Sequence, residues 1–393
     1  MTAARTHDIV LFGATGFTGG LTAEYLAEHA PTTTRWALAG RDQGKLEALR
    51  KRLAAINPAC AELPLLHADV TAPETLEAVA AATRVVITTV GPYIHYGEPL
   101  VAACATAGTD YVDLTGEPEF VDLMYIRHHD QAKASGARIV HACGFDSVPH
   151  DLGAFFTVRQ LPEDVPIRVE GFVRAKGSAS GGTAHSLITA LSRGRQTLQA
   201  ARNRRQVEPP PAGRRVQVAK GRARFSAASG ASWALPMPTI DPAIVTRSAG
   251  ALDRYGPDFS YGHYGSVKRL ATAAGAVVGI GGLFVLAQLP PTRKLLLKVR
   301  QPGDGPSAEQ RAKSWFTVRF VGEGGGKRVV TEVAGGDPGY GETAKMLAES
   351  ALCLAHDDLP PTSGQVTTAV AMGDALIERL RRAGITFTVQ TAD

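Results

Sequence analysis

The chain has 393 residues, 44% hydrophobic and 20% charged, with a formal net charge of +5 at pH 7. That length predicts two domains, the composition excludes a disordered chain, and the mild positive charge favours anionic partners without naming one. The four cysteines, Cys60, Cys104, Cys143 and Cys353, make no Cys-x-x-Cys pair, which argues against structural zinc or a disulfide framework and suits a reducing cytosol.

In chain order, short apolar runs at Ile9–Phe12, Trp36–Ala39, Leu63–Leu66, Val85–Val90, Tyr111–Leu114 and Arg138–Cys143 read as strands. Helix-like segments separate them at Phe17–Glu28, Lys45–Ile56, Pro73–Ala82, Pro99–Ala107 and Phe120–Ala134. This alternation predicts an α/β domain over 1–150, a doubly wound parallel sheet with helices on both faces. The first run, "IVLF", is too short for a secretory leader and enters glycines directly, so a cytoplasmic protein is expected.

Between the first strand and the first helix lies Gly13-Ala14-Thr15-Gly16-Phe17-Thr18-Gly19, a G-x-x-G-x-x-G turn. Backbone N–H groups in such a turn, and the positive end of the following helix, suit a pyrophosphate. The second strand ends "ALAGRDQGKL", placing Arg41 at the tip and Lys45 one turn on. An arginine there fits the 2′-phosphate of NADP(H), whereas NAD sites carry an acid. A plain surface arginine is the other reading. Asp69 and Val70 follow the third strand where the adenine edge is expected, and Val90, Gly91 and Pro92 follow the fourth beside the ribose and nicotinamide.

The segments "GATGFTG", "AGR", "TVGPY", "YGEPLV", "GTDYVDLTGE" and "CGFDSVPHDLG" together resemble the saccharopine dehydrogenase-like oxidoreductases. Within them the chain is most similar to the trans-acting enoyl reductases, from about residue 8 to the closing "AMGDALIERLRRAGITF". The resemblance implies an N-terminal Rossmann domain binding a nicotinamide cofactor, a second α+β substrate domain over 151–360, and a C-terminal segment, 361–393, that packs back on the first. Ala371–Ala383 reads as an amphipathic helix in that segment. The implied activity is NADPH-dependent reduction of a C=C bond in a carrier-bound enoyl thioester, an acyl lipid intermediate. A saccharopine-type amino-acid or imine dehydrogenase and a non-catalytic NADP-binding adaptor at membranes are the alternatives. No basic constellation for a dicarboxylic amino acid is visible near "YVDLTGE" or "GFDSVPH".

Hydride transfer to an unsaturated thioester leaves enolate charge, so the site needs a hydrogen-bond donor and a proton source. Tyr93, directly after the fourth strand, is a candidate donor; an aromatic wall against the nicotinamide is its other reading. Asp146 and His150, in the loop after the sixth strand, are candidate acids, with His150 suited to titration near neutral pH. Glu117, Ser147 and Asp151 lie in the same loops, and the acids there also read as helix caps. His128 and His129 lack ligand spacing, so no metal site is expected. Tyr264-x-x-x-Lys268 imitates a short-chain dehydrogenase pair by coincidence.

Beyond residue 151, "IRVEGFVRAKG" reads as a strand, "GGTAHSLITALSRG" as a helix, and "KSWFTVRFVGEG" with "RVVTEVAGG" as a hairpin, predicting a mixed or antiparallel sheet. The stretch 193–224 is basic, carrying Arg193, Arg195, Arg202, Arg204, Arg205, Arg214, Arg215, Lys220, Arg222 and Arg224 against Glu208. It reads as a solvated face, or as a dock for an acidic carrier domain or an anionic membrane; nucleic acid is excluded for lack of a fold signature. The uncharged segment 270–289, flanked by Lys268, Arg269, Arg293, Lys294 and Lys298, reads two ways. It dips into the inner face of the plasma membrane or lines an acyl channel, or else it is a buried helix or homodimer contact.

Overall fold

The computed structural model describes residues 5–177, 188–189, 191–299 and 306–392. Strand β1 (His7–Phe12) sends alternate side chains to opposite faces: Ile9 and Leu11 enter one apolar cluster, Val10 and Phe12 another. A strand buried on both faces demands helices on both, and the chain supplies them in alternation. They are α1 (Phe17–His29), β2 (Trp36–Gly40), α2 (Gln43–Ile56), β3 (Leu65–His67), α3 (Pro73–Ala82), β4 (Thr83–Thr88), α4 (Tyr93–Tyr96), α5 (Glu98–Ala107), β5 (Asp110–Val112), α6 (Pro118–Ser135) and β6 (Arg138–Val140).

Helix α7 (Val148–Val158) leads into β7 (Ile167–Lys176), α8 (Gly194–Val207), β8 (Arg215–Val218), β9 (Arg224–Ser226), β10 (Ser232–Pro236), α9 (Asp241–Ala251) and β11 (Asp258–Val267). Then come α10 (Leu270–Gln288), α11 (Pro290–Val299), α12 (Ala308–Ala312), β12 (Trp315–Gly324), β13 (Lys327–Gly335), α13 (Gly341–His356), β14 (Gly364–Val366), α14 (Thr368–Ala371), α15 (Gly373–Arg382) and β15 (Thr386–Ala392). The helix expected over 181–194 falls largely outside the described residues.

The first sheet is parallel throughout, in the order β14-β6-β5-β4-β1-β2-β3. Strand order reverses between β1 and β4, so the crevice for a ligand opens at their carboxyl ends. The second sheet runs β15-β13-β12-β7-β11-β10-β9, with β8 also on β11. It is mixed: β11 is parallel to β7 and β8, while β12 and β13 form the expected antiparallel hairpin. Its turn uses Gly325 and Gly326 at φ +59° and +79°, a conformation that favours glycine.

Helix α7 joins the two sheets. Gly153 lies so close to the second sheet that a Cβ would stand 2.3 Å from Phe320 Cε2. One turn on, Thr157 Oγ1 hydrogen-bonds Thr331 Oγ1 at 2.6 Å. Asp151 does not cap α7. Its buried carboxylate accepts from Ser248 of α9 and from the Thr368 hydroxyl and Ala369 N–H of α14, tying three distant segments together.

The return to the first sheet begins at α13, ahead of the expected boundary at 361. Met346, Leu347, Ala351 and Leu352 of this helix are buried in the cluster that holds Ile9 and Leu11. β14 extends the first sheet, whereas β15 leaves for the edge of the second. The amphipathic helix expected at Ala371–Ala383 is present as α15, starting two residues later at Gly373, whose φ of +45° separates it from α14. On α15, Leu376, Ile377 and Leu380 form the buried stripe.

The segment 270–289 is not the buried helix that one reading offered. α10 exposes Leu270, Val278, Val285 and Leu286, with Val278 at 74%. At its end, Ala287 is buried and Gln288 Nε2 donates to Leu191 O at 2.7 Å. Among the described residues no helix is long and apolar enough to cross a membrane.

Replacing Gly153 by alanine should overpack the α7 contact and destabilise the protein by about 1–3 kcal/mol. A lowered urea midpoint in circular dichroism checks this; an unchanged midpoint would mean the contact is slack.

Candidate active site

The cradle follows from three backbone facts. Gly13 sits at φ +84°, and a Cβ there would meet Val90 Cγ2 at 2.7 Å and Thr89 Oγ1 at 2.8 Å. At Gly19 a Cβ would lie 2.2 Å from Gly13 O, so α1 can start this close to β1 only with glycine there. Gly16, the N-cap of α1, offers no side chain to the first-turn amides of Phe17, Thr18 and Gly19. Thr15 and Gly16 are exposed and Ala14 is buried, so the turn presents backbone to the crevice and packs its methyl inward. These features fit a pyrophosphate held by N–H groups and the helix dipole. Phe17 meets Tyr340 edge-on, with ring centroids 4.7 Å apart, and the Arg311 guanidinium stands 5.9 Å from the Phe17 centroid, so the second half of the chain closes over the turn.

At the tip of β2, Arg41 is exposed, while Asp42 turns away to cap α2 by accepting from Lys45 N at 3.0 Å. Lys45 Nζ stands 3.9 Å from that same carboxylate. Asp69 accepts from the Thr71 N–H and hydroxyl. These bonds, with a smaller contribution from the Arg41 charge, hold its carboxyl below the usual range, and Val70 lies in the same turn. Arg41 and Asp69 therefore share the end of the crevice where a ribose phosphate and adenine would lie.

Tyr93 departs from the donor reading. Its hydroxyl donates to Thr88 O at 3.1 Å and accepts from Leu114 N at 3.2 Å, and the side chain is buried. Burial, then the Asp113 charge, raises its pKa far above that of a free phenol. The phenol thus joins the ends of β4 and β5 beneath the cis Gly91–Pro92 bond. Glu117 works alongside it, accepting from Tyr93 N and Ile94 N at the start of α4.

Asp146 lies in the loop between β6 and α7, close to Gly116 after β5. It retains accessible surface, yet the protein packed round its carboxyl, and then the charge of Asp241, push it up to about 7. The loop is held from the second half of the chain: Phe145 N donates to Thr343 Oγ1 at 3.1 Å, and the Phe145 ring meets Phe316 with centroids 4.9 Å apart. His150 lies deeper. Burial lowers it to about 4 despite Asp241, so it is neutral at pH 7, contrary to the expectation of titration there. Beside it, Asp241 opens α9 and His263 sits mid-way along β11, both buried. Burial disfavours the Asp241 charge, but His150, His263 and Thr239 outweigh it and hold the carboxyl low.

Sequence reasoning missed both partners of His150. Asp241 precedes a proline and reads as a helix start, and His263 is a single polar residue within a strand. It also missed a buried pair at the ends of β5 and β6, Asp113 with His141 Nδ1 at 2.7 Å. Asp113 also accepts from Tyr111, Thr115 N and Ala142 N, a structural assignment, and His141 Nε2 has no hydrogen-bond partner among the described residues. Tyr264 stacks on Phe172 and donates to Glu170, so its spacing from Lys268 carries no chemistry.

The basic stretch is partly consumed inside the molecule. Arg193 pairs with Glu119, Arg204 with Asp122 and Glu208, Arg214 with Asp253, and Arg224 with Glu170. Arg204 is buried, its guanidinium 3.9 Å from the Tyr125 centroid. Arg195, Arg202, Arg205, Arg215, Lys220 and Arg222 remain exposed.

Arg41→Ala should weaken NADPH binding about 10–100-fold, the value of a charge-assisted phosphate contact, and leave NADH affinity unchanged. Calorimetric titration with both nucleotides checks this. Equal affinity for the two in the unaltered protein would remove Arg41 from the phosphate site.

Residues 9–140 match the family model of the saccharopine dehydrogenase NADP binding domain. A Mycobacterium tuberculosis protein bearing the name of a trans-acting enoyl reductase is 42% identical over 417 residues, 98% of each chain. The trans-acting enoyl reductase of Mycobacterium ulcerans is 37% identical over 416 residues, 98% of this chain and 97% of its own. Among solved structures, the apo saccharopine dehydrogenase (L-Glu forming) of Saccharomyces cerevisiae superposes over 98% of this chain and 100% of its own, with a TM-score of 0.56 at 13% identity, a likeness of fold. The chain belongs to the saccharopine dehydrogenase-like oxidoreductases, in the group of the trans-acting enoyl reductases, and is an NADP-dependent reductase.

Proposed function

We propose that the substrate is an acyl lipid intermediate, an enoyl thioester on a carrier, whose C=C bond is reduced. The names of the relatives at 37–42% identity support this reading, and Asp146 is the structural observation that carries it. NADPH, when bound, supplies the hydride. The remaining task for the protein is to place a proton, and Asp146, an exposed residue in the loop after β6, has a carboxyl raised to about 7. Tyr93 and Glu117 keep the β4 and β5 loops in register, and His150 positions the base of the Asp146 loop.

The exposed apolar face of α10, with Lys268 and Arg269 exposed just before it, supports a peripheral contact with an anionic membrane, where such a lipid intermediate would reside. The exposed arginines of α8 suit an acidic carrier domain. An imine or amino-acid dehydrogenase is the second reading, favoured by fold alone.

Asp146→Asn should lower kcat by roughly 10²-fold or more with NADPH affinity intact. A general acid acts in its protonated form, present below its pKa. Activity of the unaltered enzyme should therefore fall as pH rises through about 7, and the variant should lose that limb. Stopped-flow NADPH oxidation with a panel of carrier-bound enoyl thioesters measures both. Turnover of lysine-type substrates with none of the thioesters would replace this reading by the dehydrogenase one. In flotation with phosphatidylglycerol vesicles, Val278→Glu with Leu286→Glu should abolish binding shown by the unaltered protein; a protein that never floats would sink the membrane contact.

A further inference from the structure

We propose that His150, Asp241 and His263 form a binding site for a divalent transition-metal ion, zinc fitting best, which ties the Asp146 loop to the second sheet. The three residues come from α7, α9 and β11, and each is at least nine-tenths buried. Their ligand atoms all lie within 4.8 Å of one another. His150 Nε2 stands 3.6 Å from Asp241 Oδ1, and His263 Nε2 stands 3.4 Å from Asp241 Oδ2.

The His150–Asp241 separation is too long for a hydrogen bond, the His263–Asp241 contact is at the limit of one, and both lie near the spacing of two ligands on a shared ion. Among the described residues Asp241 Oδ1 has no hydrogen-bond partner and His263 Nε2 has none of good geometry, although both are buried, an arrangement that demands compensation. A four-coordinate ion about 2.0–2.2 Å from nitrogen and oxygen ligands sets them about 3.3–3.5 Å apart. Two imidazoles and one carboxylate are a donor set that zinc accepts with a small molecule in fourth place.

The surroundings orient His263 and Asp241 as a metal requires, whereas His150 Nδ1 is buried without a partner among the described residues. Tyr261 OH lies 3.2 Å from His263 Nδ1, so a proton held on Nδ1 leaves Nε2 free to coordinate. The Thr239 hydroxyl donates to Asp241 Oδ2 and fixes the carboxylate. The Phe145 ring packs edge-on against His150 at 5.5 Å between centroids, shielding the cluster on that side. Nothing in the sequence spacing announces the site, because the three residues are scattered across the chain.

The test uses the full-length protein, treated with chelator, desalted and titrated with CoCl2 and ZnCl2 in the absence of nucleotide. One equivalent of cobalt should give the intense visible bands of a tetrahedral site, displaced by zinc, and zinc should raise Tm in proportion to its logarithmic concentration. X-ray absorption on the zinc form should show two imidazoles and one carboxylate. Tyr261→Phe should weaken zinc by about 10–100-fold. His150→Gln and His263→Gln should lose the bands. Absence of stoichiometric cobalt in the unaltered protein, an X-ray absorption spectrum without imidazole, or bands that persist in both histidine variants would overturn the proposal. NADPH titration of the same samples stands apart, so failure here leaves the reductase assignment in place.

Discussion

The contact between Gly19 and the carbonyl of Gly13 is the constraint on which the molecule turns. With no Cβ at either position, α1 begins almost on top of the strand that precedes it, and Thr89 and Val90 close in from β4. That compression leaves backbone amides, and no side-chain cap, at the mouth of the crevice. The strand ends at the crevice are arranged relative to that point: Arg41 follows β2 on one side, and the loops after β4, β5 and β6 follow on the other.

The buried polar groups divide into those that hold the scaffold and those that face chemistry. Tyr93, Glu117, Asp113 and Asp151 use their hydrogen-bonding capacity on loop ends and helix starts, and their burial is compensated. Asp146 differs because the residue keeps accessible surface while the protein packed round its carboxyl, and then the Asp241 charge, raise it. The division also explains how a cofactor enzyme works with few titratable groups, since the difficult bond-making belongs to the nicotinamide.

The parts of the structure made by neighbours in sequence were legible. Six strand positions, the glycine turn and Arg41 emerge from apolar runs and spacing, because a strand, its turn and its helix are one contiguous unit. The parts made by distant segments were not. α13 packs on β1 from more than three-quarters of the way along the chain, and its alanine-rich stripe gives no hint of which sheet it will cover. Asp241 and His263 meet His150 only through the packing of α9 and β11, and periodicity carries no record of that meeting. The basic run misled in the opposite way: Arg204 counts as surface charge in a sequence and is buried against Tyr125, Asp122 and Glu208 in the fold.

The late return of the chain has a consequence for biosynthesis. β14 completes the first sheet and α13 covers one of its faces, yet both lie far along the chain from β1 to β6. The nucleotide-binding half therefore cannot bury that face until the intervening second half has been made. Such non-local packing slows folding and leaves apolar surface open in the interval.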